Sequence, residues 1–224
     1  MRDLYNAKLA RLSDEIMEMG NLCGQGIMKT CQLLASVEIL ETASKEIGKI
    51  EKEIDDKEHE ALCMQLLLKQ QPVGTDLRKI SAALKMVTDM ERIGDQATDI
   101  AEIMLTGSVH VPVTAIPLQE MAEHAMHMVN DSVTAYVEEK SDLAKKVIDS
   151  DDLLDNLFNQ IRKALDMNRM GYSGDEILDL LMISKYYERI GDHATNIGEW
   201  AEFSVDGIHR NGDSISDLFN PNSL

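Results

Sequence analysis

The sequence predicts an all-α fold of six long helices that form two pseudo-repeated antiparallel three-helix bundles. Apolar residues recur at three- and four-residue spacing along most of the 224-residue chain, which is the pattern of amphipathic helices. Prolines number 4 and aromatic residues make up 4% of the chain, a composition that favours long helices over sheets. A twelve-residue stretch, 91–102, also recurs at 188–199 with nine identities, which indicates an internal repeat.

The first half of the chain predicts three helices, over about 5–37, 41–70 and 76–105. The segment "QQPVGT" separates the second helix from the third, because Pro72 and Gly74 interrupt helices and Thr75 can serve as an N-cap. The long irregular stretch "TGSVHVPVTAIP" follows the third helix and marks the boundary between the halves. The first bundle is therefore predicted to occupy residues 1–107.

The second half repeats this organisation, with helices predicted over about 117–139, 142–169 and 174–204. Ser141 is a candidate cap of the fifth helix, and Ser173 with Glu176 three residues later fits a capping box at the start of the sixth. Short breaks between long helices make neighbouring helices antiparallel. The second bundle is predicted over residues 114–206, and residues 207–224 form a polar tail.

Charge and hydropathy narrow the classes of partner. The formal net charge is −18, which disfavours nucleic acid and anionic lipid because both would be repelled. The amino-terminal segment has no apolar core of a secretory signal, and no apolar run approaches the roughly 18 residues of a membrane span. We therefore expect a cytoplasmic protein with no direct membrane insertion and no nucleic-acid partner.

The repeated stretch contains an acidic stripe. Glu91, Asp95 and Asp99 are four residues apart, and Glu188, Asp192 and Asn196 repeat the spacing 97 residues later. Residues four apart on a helix differ by only about 40° in direction, so each trio is expected to form one column. Gly94 and Gly191 precede the central aspartates, and close helix packing is the favoured explanation of these helix-interior glycines.

The preceding helices supply a second pair of acids in each half. Glu51 and Asp55 can face the first column, and Asp151 and Asp155 can face the second. Such crowding of carboxylates is tolerable when a cation or protons neutralise them, and oxygen ligands suit hard or borderline cations. A solvated acidic face is the alternative. Because Asn196 brings no charge, the second group is expected to hold a cation less tightly than the first.

These residues resemble the PhoU family, the regulatory proteins of bacterial phosphate transport. The resemblance rests on two halves that each end in an "ERIGD" helix, on "QPVGTDLRKI" before the third helix and on "SDLAKKVIDSDDLLD" in the fifth. It implies multinuclear metal clusters bound through the acidic motifs, with iron or zinc foremost and Mg, Mn or Ca as alternatives. Carried over by position, the metal ligands would be Glu51, Asp55, Glu91, Asp95 and Asp99 in one site and Asp151, Asp155, Glu188, Asp192 and Asn196 in the other.

The resemblance also implies a function without chemistry of its own. Proteins of the PhoU family act as negative regulators of the phosphate-starvation response, associate with the ATP-binding subunit of the phosphate ABC transporter and with the phosphate-sensing histidine kinase, and often form homodimers. The sequence contains no GxxxxGK[ST], GxGxxG or GxSxG motif and no Glu-x-x-His pair, so a non-enzymatic adaptor is favoured. The alternatives are a metallohydrolase that acts on a phosphorylated substrate and an accessory protein of a different phosphate transporter.

Overall fold

The computed structural model describes residues 2–35, 40–59, 63, 65–67, 71–109, 113–167 and 171–207. Its long helices are α1 (Arg2–Ala35), α2 (Leu40–His59), α3 (Thr75–Thr106), α4 (Leu118–Val137), α5 (Ser141–Asp166) and α6 (Gly174–Asp206). Residues 65–67 are also helical, and the described residues contain no strand. The predicted all-α fold is therefore confirmed. Most of the predicted polar tail, residues 208–224, lies outside the described residues.

The starts of the helices follow local chemistry. The predicted capping box is present at α6, where Glu176 N donates to Ser173 Oγ at 3.2 Å and Ser173 N donates to Glu176 Oε2 at 2.8 Å. The other two predicted caps are wrong by one residue. Gly74 precedes α3 with a φ of 60°, a conformation that favours glycine, and Ser141 belongs to α5 and donates its hydroxyl hydrogen to Asp206.

The helices pack in two layers. Helices α1, α2 and α3 pack against one another, and so do α4, α5 and α6. The two trios meet through α3 against α6, which is the most extensive helix contact in the described chain, and through α1 against α4. One layer therefore runs α2, α3, α6, α5, and the other consists of α1 and α4. Among the described helices, none is long and apolar enough to cross a membrane.

The core between the layers is apolar and contains few polar side chains. The most deeply buried residues lie on the inward faces of all six helices, for example Ile27, Ile93 and Ile190. Tyr187 of α6 is also fully buried, and its hydroxyl donates to Thr30 Oγ1 of α1 at 2.8 Å. Burial of this apolar surface is the main source of stability, and the tyrosine contact fixes how the two halves fit together.

Two glycines set the distance between the outer helices and their neighbours. A Cβ built on Gly94 of α3 would lie 3.1 Å from Ile54 Cδ1 of α2, and one built on Gly191 of α6 would overlap Leu154 of α5. The predicted role of these glycines in close packing is therefore confirmed. Because Ile54 and Leu154 each lie between the two acids of their helix, this packing brings the acidic residues of neighbouring helices together.

We predict that Gly191→Ala lowers the free energy of unfolding by about 1 kcal/mol, because the strain of overpacking against buried Leu154 exceeds the gain in helix propensity. Gly48→Ala is the matched control, since a Cβ there has no neighbour within 4 Å. The control should stabilise the protein by about 0.5–1 kcal/mol. Urea denaturation measures both changes. Equal stabilisation by the two substitutions would contradict the packing role of Gly191.

Candidate metal centres

The acidic residues form two groups on the layer of α2, α3, α6 and α5. The N-terminal cluster lies between α2 and α3, and the C-terminal cluster lies between α5 and α6. All ten candidate ligands are at described positions: Glu51, Asp55, Glu91, Asp95 and Asp99 in the N-terminal cluster, and Asp151, Asp155, Glu188, Asp192 and Asn196 in the C-terminal cluster.

In the N-terminal cluster the acids of α2 face those of α3. Burial raises the pKa of Glu51, and the negative charges of Asp55 and Asp95, together with a hydrogen bond to Asp55, raise it further. Arg92 offsets part of this charge, with its Nε 3.4 Å from Glu91 Oε2 and its Nη1 3.3 Å from Asp95 Oδ2. Both of these ionic partners lie on the same helix as Arg92.

The C-terminal cluster is more crowded. Partial desolvation raises the pKa of Asp192 to about 6, and the charges of Glu188, Asp151 and Asp155 add to the effect while Lys185 opposes it. Asp151 also has a raised pKa, first because of burial and then because of the charge of Asp155. The carboxylates of α5 and α6 therefore interact strongly, and the metal-free cluster favours binding protons.

The third member of each column is directed elsewhere. Asn196 donates from Nδ2 to Asp89 Oδ1 of α3 at 3.2 Å. Asp99 lies beside Tyr186 of α6, whose pKa is raised by burial and then by the charge of Asp99 and a hydrogen bond to it. Asp99 and Asn196 each follow the first member of their column by eight residues, which corresponds to a rotation of about 80° around the helix. Their side chains are therefore turned away from the groove between α2 and α3 or between α5 and α6, and toward the contact between α3 and α6. The structure thus brings Asp151, Asp155, Glu188 and Asp192 into mutual electrostatic contact. In the other half it brings Glu51, Asp55 and Asp95 together, and Asp99 and Asn196 lie at the edges of the two clusters.

Lys185 distinguishes the C-terminal cluster from the N-terminal one. It forms an ion pair with Glu188, and its Nζ lies 5.4 Å from the centre of the Phe158 ring, a distance at which a cation and an aromatic face attract. The corresponding residue of α3 is Thr88, which carries no charge. Sequence reasoning missed this lysine, although the three-residue spacing of Lys185 and Glu188 on one helix is a readable signal.

The donor chemistry of both clusters suits a hard or borderline cation, since each offers several carboxylate oxygens. Two buried hydroxyl oxygens, Thr98 Oγ1 and Thr195 Oγ1, also have no hydrogen-bond partner in the described structure. Within the described part of the chain, however, no group of three or more His, Cys, Asp or Glu side chains is positioned to hold a metal ion. The residues therefore fit a cation in type and neighbourhood, and their side chains would have to converge to enclose one.

A polar contact between the halves also escaped prediction. His193 Nδ1 of α6 lies 2.9 Å from Asp89 Oδ1 of α3, the oxygen that accepts the hydrogen bond from Asn196. Asp89 falls outside the repeated stretch 91–102, so the repeat gave no signal for it. This contact aligns the helices that carry the two acidic columns.

We predict that Asp192→Asn stabilises the metal-free protein. The pKa of Asp192 is raised from 3.8 to about 6, so the folded state binds more protons than the unfolded state in this interval, and the stability of the wild type falls as pH rises through it. Because the side chain is exposed and solvent screens its charge, we expect a gain of about 1 kcal/mol at neutral pH.

Chemical denaturation in chelator, from about pH 7.5 to about pH 4.5, measures this effect. The gain should shrink as the pH falls, because Asp192 of the wild type then becomes protonated. Asp152→Asn, the loss of an exposed carboxylate from the same acidic surface, is the matched control and should give a smaller change. A pH-independent effect of Asp192→Asn would show that charge crowding is not its cause.

Comparison with known proteins identifies the family of the chain. The family model described as "PhoU domain" matches residues 16–104 and again 118–201. The phosphate-specific transport system accessory protein PhoU homolog of Clostridium acetobutylicum is 34% identical over 214 residues, covering 92% of this chain and 96% of that protein. The corresponding homolog of Synechocystis is 32% identical, covering 92% of this chain and 93% of the relative.

Solved structures agree with the sequence matches. The crystal structure of PhoU from Pseudomonas aeruginosa aligns with a TM-score of 0.81 at 25% identity, covering 91% of this chain and 99% of that one. The phosphate transport system regulatory protein PhoU from Streptococcus pneumoniae also gives a TM-score of 0.81, at 22% identity, and supports the fold. With its two matched domains, its relatives and its six-helix architecture, the chain belongs to the PhoU family.

Proposed function

We propose that this protein is a cytoplasmic regulator of bacterial phosphate uptake that binds cations at its two acidic clusters. The general role is supported by the relatives, which are named as accessory proteins of phosphate-specific transport over nearly the whole length of the chain. In this role the protein represses the phosphate-starvation response. It acts as an adaptor for the ATP-binding subunit of the phosphate ABC transporter and for the phosphate-sensing histidine kinase, and it forms a homodimer.

The observation that carries the cation proposal is the crowding of carboxylates across the packed helices. Partial desolvation and three neighbouring carboxylates raise the pKa of Asp192 to about 6. In the other half, burial and the charges of Asp55 and Asp95 raise the pKa of Glu51. A bound cation would supply the positive charge that the clusters otherwise obtain from protons and basic side chains. Iron and zinc are the first candidates, and Mg, Mn and Ca share the preference for oxygen.

Hydrolysis of a phosphorylated substrate is the alternative. Basic groups beside the acids include Arg92 and Lys185, and both are engaged with carboxylates of the clusters. This arrangement favours charge neutralisation over substrate binding, so we propose that the protein is not an enzyme. Metal-loaded wild type should therefore release no phosphate from phosphorylated model substrates. Turnover that depends on metal and disappears in Asp95→Asn would contradict the proposal.

We predict saturable binding between this protein and the ATP-binding subunit of the cognate phosphate transporter, measured by biolayer interferometry with purified components. The ATP-binding subunit of an unrelated ABC transporter is the control and should not bind. Equal signals for the two subunits, or no signal for either, would contradict the adaptor role. The same assay with the cytoplasmic part of the histidine kinase tests the second partner.

We predict that the C-terminal cluster loses its cation first under chelator. Lys185 pairs with Glu188 there, much as Arg92 pairs with Glu91 and Asp95 in the N-terminal cluster. The two clusters therefore differ by the missing charge of Asn196, which stands where the N-terminal cluster has Asp99, and the C-terminal cluster attracts a cation less strongly. Lys185→Met should raise the affinity of the C-terminal cluster on the order of tenfold. Asn196→Asp should help less, because Asn196 faces Asp89 and a new carboxylate there meets like charge.

Metal content after dialysis against graded chelator, measured by mass spectrometry, tests this order. Asp95→Asn retains the C-terminal cluster and Asp192→Asn retains the N-terminal one, so each background reports on a single cluster. Lys146→Met, at an exposed lysine elsewhere on α5, controls for net charge. The idea fails if the N-terminal cluster empties first, or if the two lysine substitutions have equal effects.

A further inference from the structure

In the part of the chain that the structure describes, each half buries one threonine hydroxyl that forms no hydrogen bond of standard geometry. Thr98 Oγ1 of α3 and Thr195 Oγ1 of α6 are buried, and neither forms a hydrogen bond in the described structure. The two residues are 97 positions apart, so they occupy the same place in the repeat. Buried polar groups in native proteins nearly always have partners, and an unpaired one lowers stability. The recurrence of this exception at matched positions calls for a common explanation.

Two other helical threonines have hydroxyls that are satisfied locally. Thr134 donates to the carbonyl of Asn130 at 2.8 Å, and Thr106 donates to the carbonyl of Glu102 at 2.8 Å. These are the usual bonds of a helical threonine to the preceding turn. Thr98 and Thr195 do not form them, so their hydroxyls remain available to a group outside their own helix.

The packing of the helices brings each threonine to the level of the first acid on the neighbouring helix, Glu51 for Thr98 and Asp151 for Thr195. In the second half, a Cβ built on Gly191, one turn before Thr195, would lie 3.7 Å from Asp151 Oδ1, so the carboxyl of Asp151 lies over this part of α6, near the hydroxyl of Thr195. In the first half, Ala97 and Ile50 both lie against Gly26, at 3.5 and 3.8 Å from a Cβ built there. Their chain neighbours, Thr98 and Glu51, are therefore at the same level of the α2–α3 contact.

We propose that Thr98 and Thr195 are positioning residues of the two clusters, whose hydroxyls hydrogen-bond to Glu51 and Asp151 and turn these carboxylates toward the bound cation. The assignment rests on the proposed cation binding. A hydroxyl that donates to a carboxylate leaves the carboxylate's other lone pairs free for a metal. When the side chains converge around a bound cation, each threonine hydroxyl comes close enough to its carboxylate to form the hydrogen bond that the metal-free protein lacks. Groups that orient a metal ligand in this way typically contribute 10–100-fold to metal affinity.

Valine and serine substitutions test the assignment, because valine keeps the shape of threonine without its hydroxyl and serine keeps the hydroxyl. Thr98→Val is examined in the Asp192→Asn background and Thr195→Val in the Asp95→Asn background, so that a single cluster reports. Mn²⁺ is the probe, and free Mn²⁺ is measured by electron paramagnetic resonance. We expect each valine to weaken Mn²⁺ binding at least about tenfold, and each serine to restore most of the affinity.

Two further measurements separate positioning from a structural effect. The thermal unfolding midpoint of the metal-free protein should not fall in the valine variants, because the hydroxyls have no partner there to lose. Thr134→Val, which removes a satisfied hydroxyl on α4, should leave Mn²⁺ affinity unchanged. Valine variants that bind Mn²⁺ as tightly as their backgrounds would overturn the assignment alone, as would failure of serine to rescue. Absence of saturable Mn²⁺ binding in the wild type would instead overturn the proposed cation sites.

Discussion

The close packing of α2 on α3 and of α5 on α6 is the constraint on which the rest of the structure depends. Gly94 and Gly191 leave room for Ile54 and Leu154, and the acids on either side of these apolar residues are thereby forced to face the acidic columns. Apolar burial stabilises a contact that, in the metal-free protein, carries a cost of carboxylate repulsion. The clusters are therefore built by the core, and their excess charge is what a cation would neutralise.

The repeat explains both the similarity of the halves and their differences. The α3–α6 contact joins equivalent helices, so equivalent residues face each other in reversed order: Asn196 contacts Asp89, and its counterpart Asp99 lies beside Tyr186. The two grooves lie on either side of this contact. Asn196 stands where the first half has the carboxylate of Asp99, and Lys185 has an uncharged counterpart in Thr88. The duplication has therefore produced two related clusters with different charged partners, and under the proposed function they would bind a cation with different affinities.

Much of this could be predicted from sequence, because the signals were local and repeated. Helical periodicity, the Ser173 capping box and the glycines before the central aspartates each depend on a few neighbouring residues. The cap positions of α3 and α5 were wrong because Gly74 provides a backbone conformation and Ser141 bonds to distant Asp206. The bonding of Asn196 and the unpaired hydroxyl of Thr195 could not be predicted, since both depend on how helices from different parts of the chain are rotated against each other.

Anomalous X-ray diffraction from crystals of the metal-loaded protein tests the central claim most directly. Data collected on both sides of the absorption edge of the bound metal locate each ion without assumptions about the protein. The account predicts peaks in both grooves, one between Asp95 and Glu51 and the other between Asp192 and Asp151, with the weaker occupancy in the second. Peaks confined to other surfaces, or metal-free grooves in a protein that still carries stoichiometric metal, would contradict it.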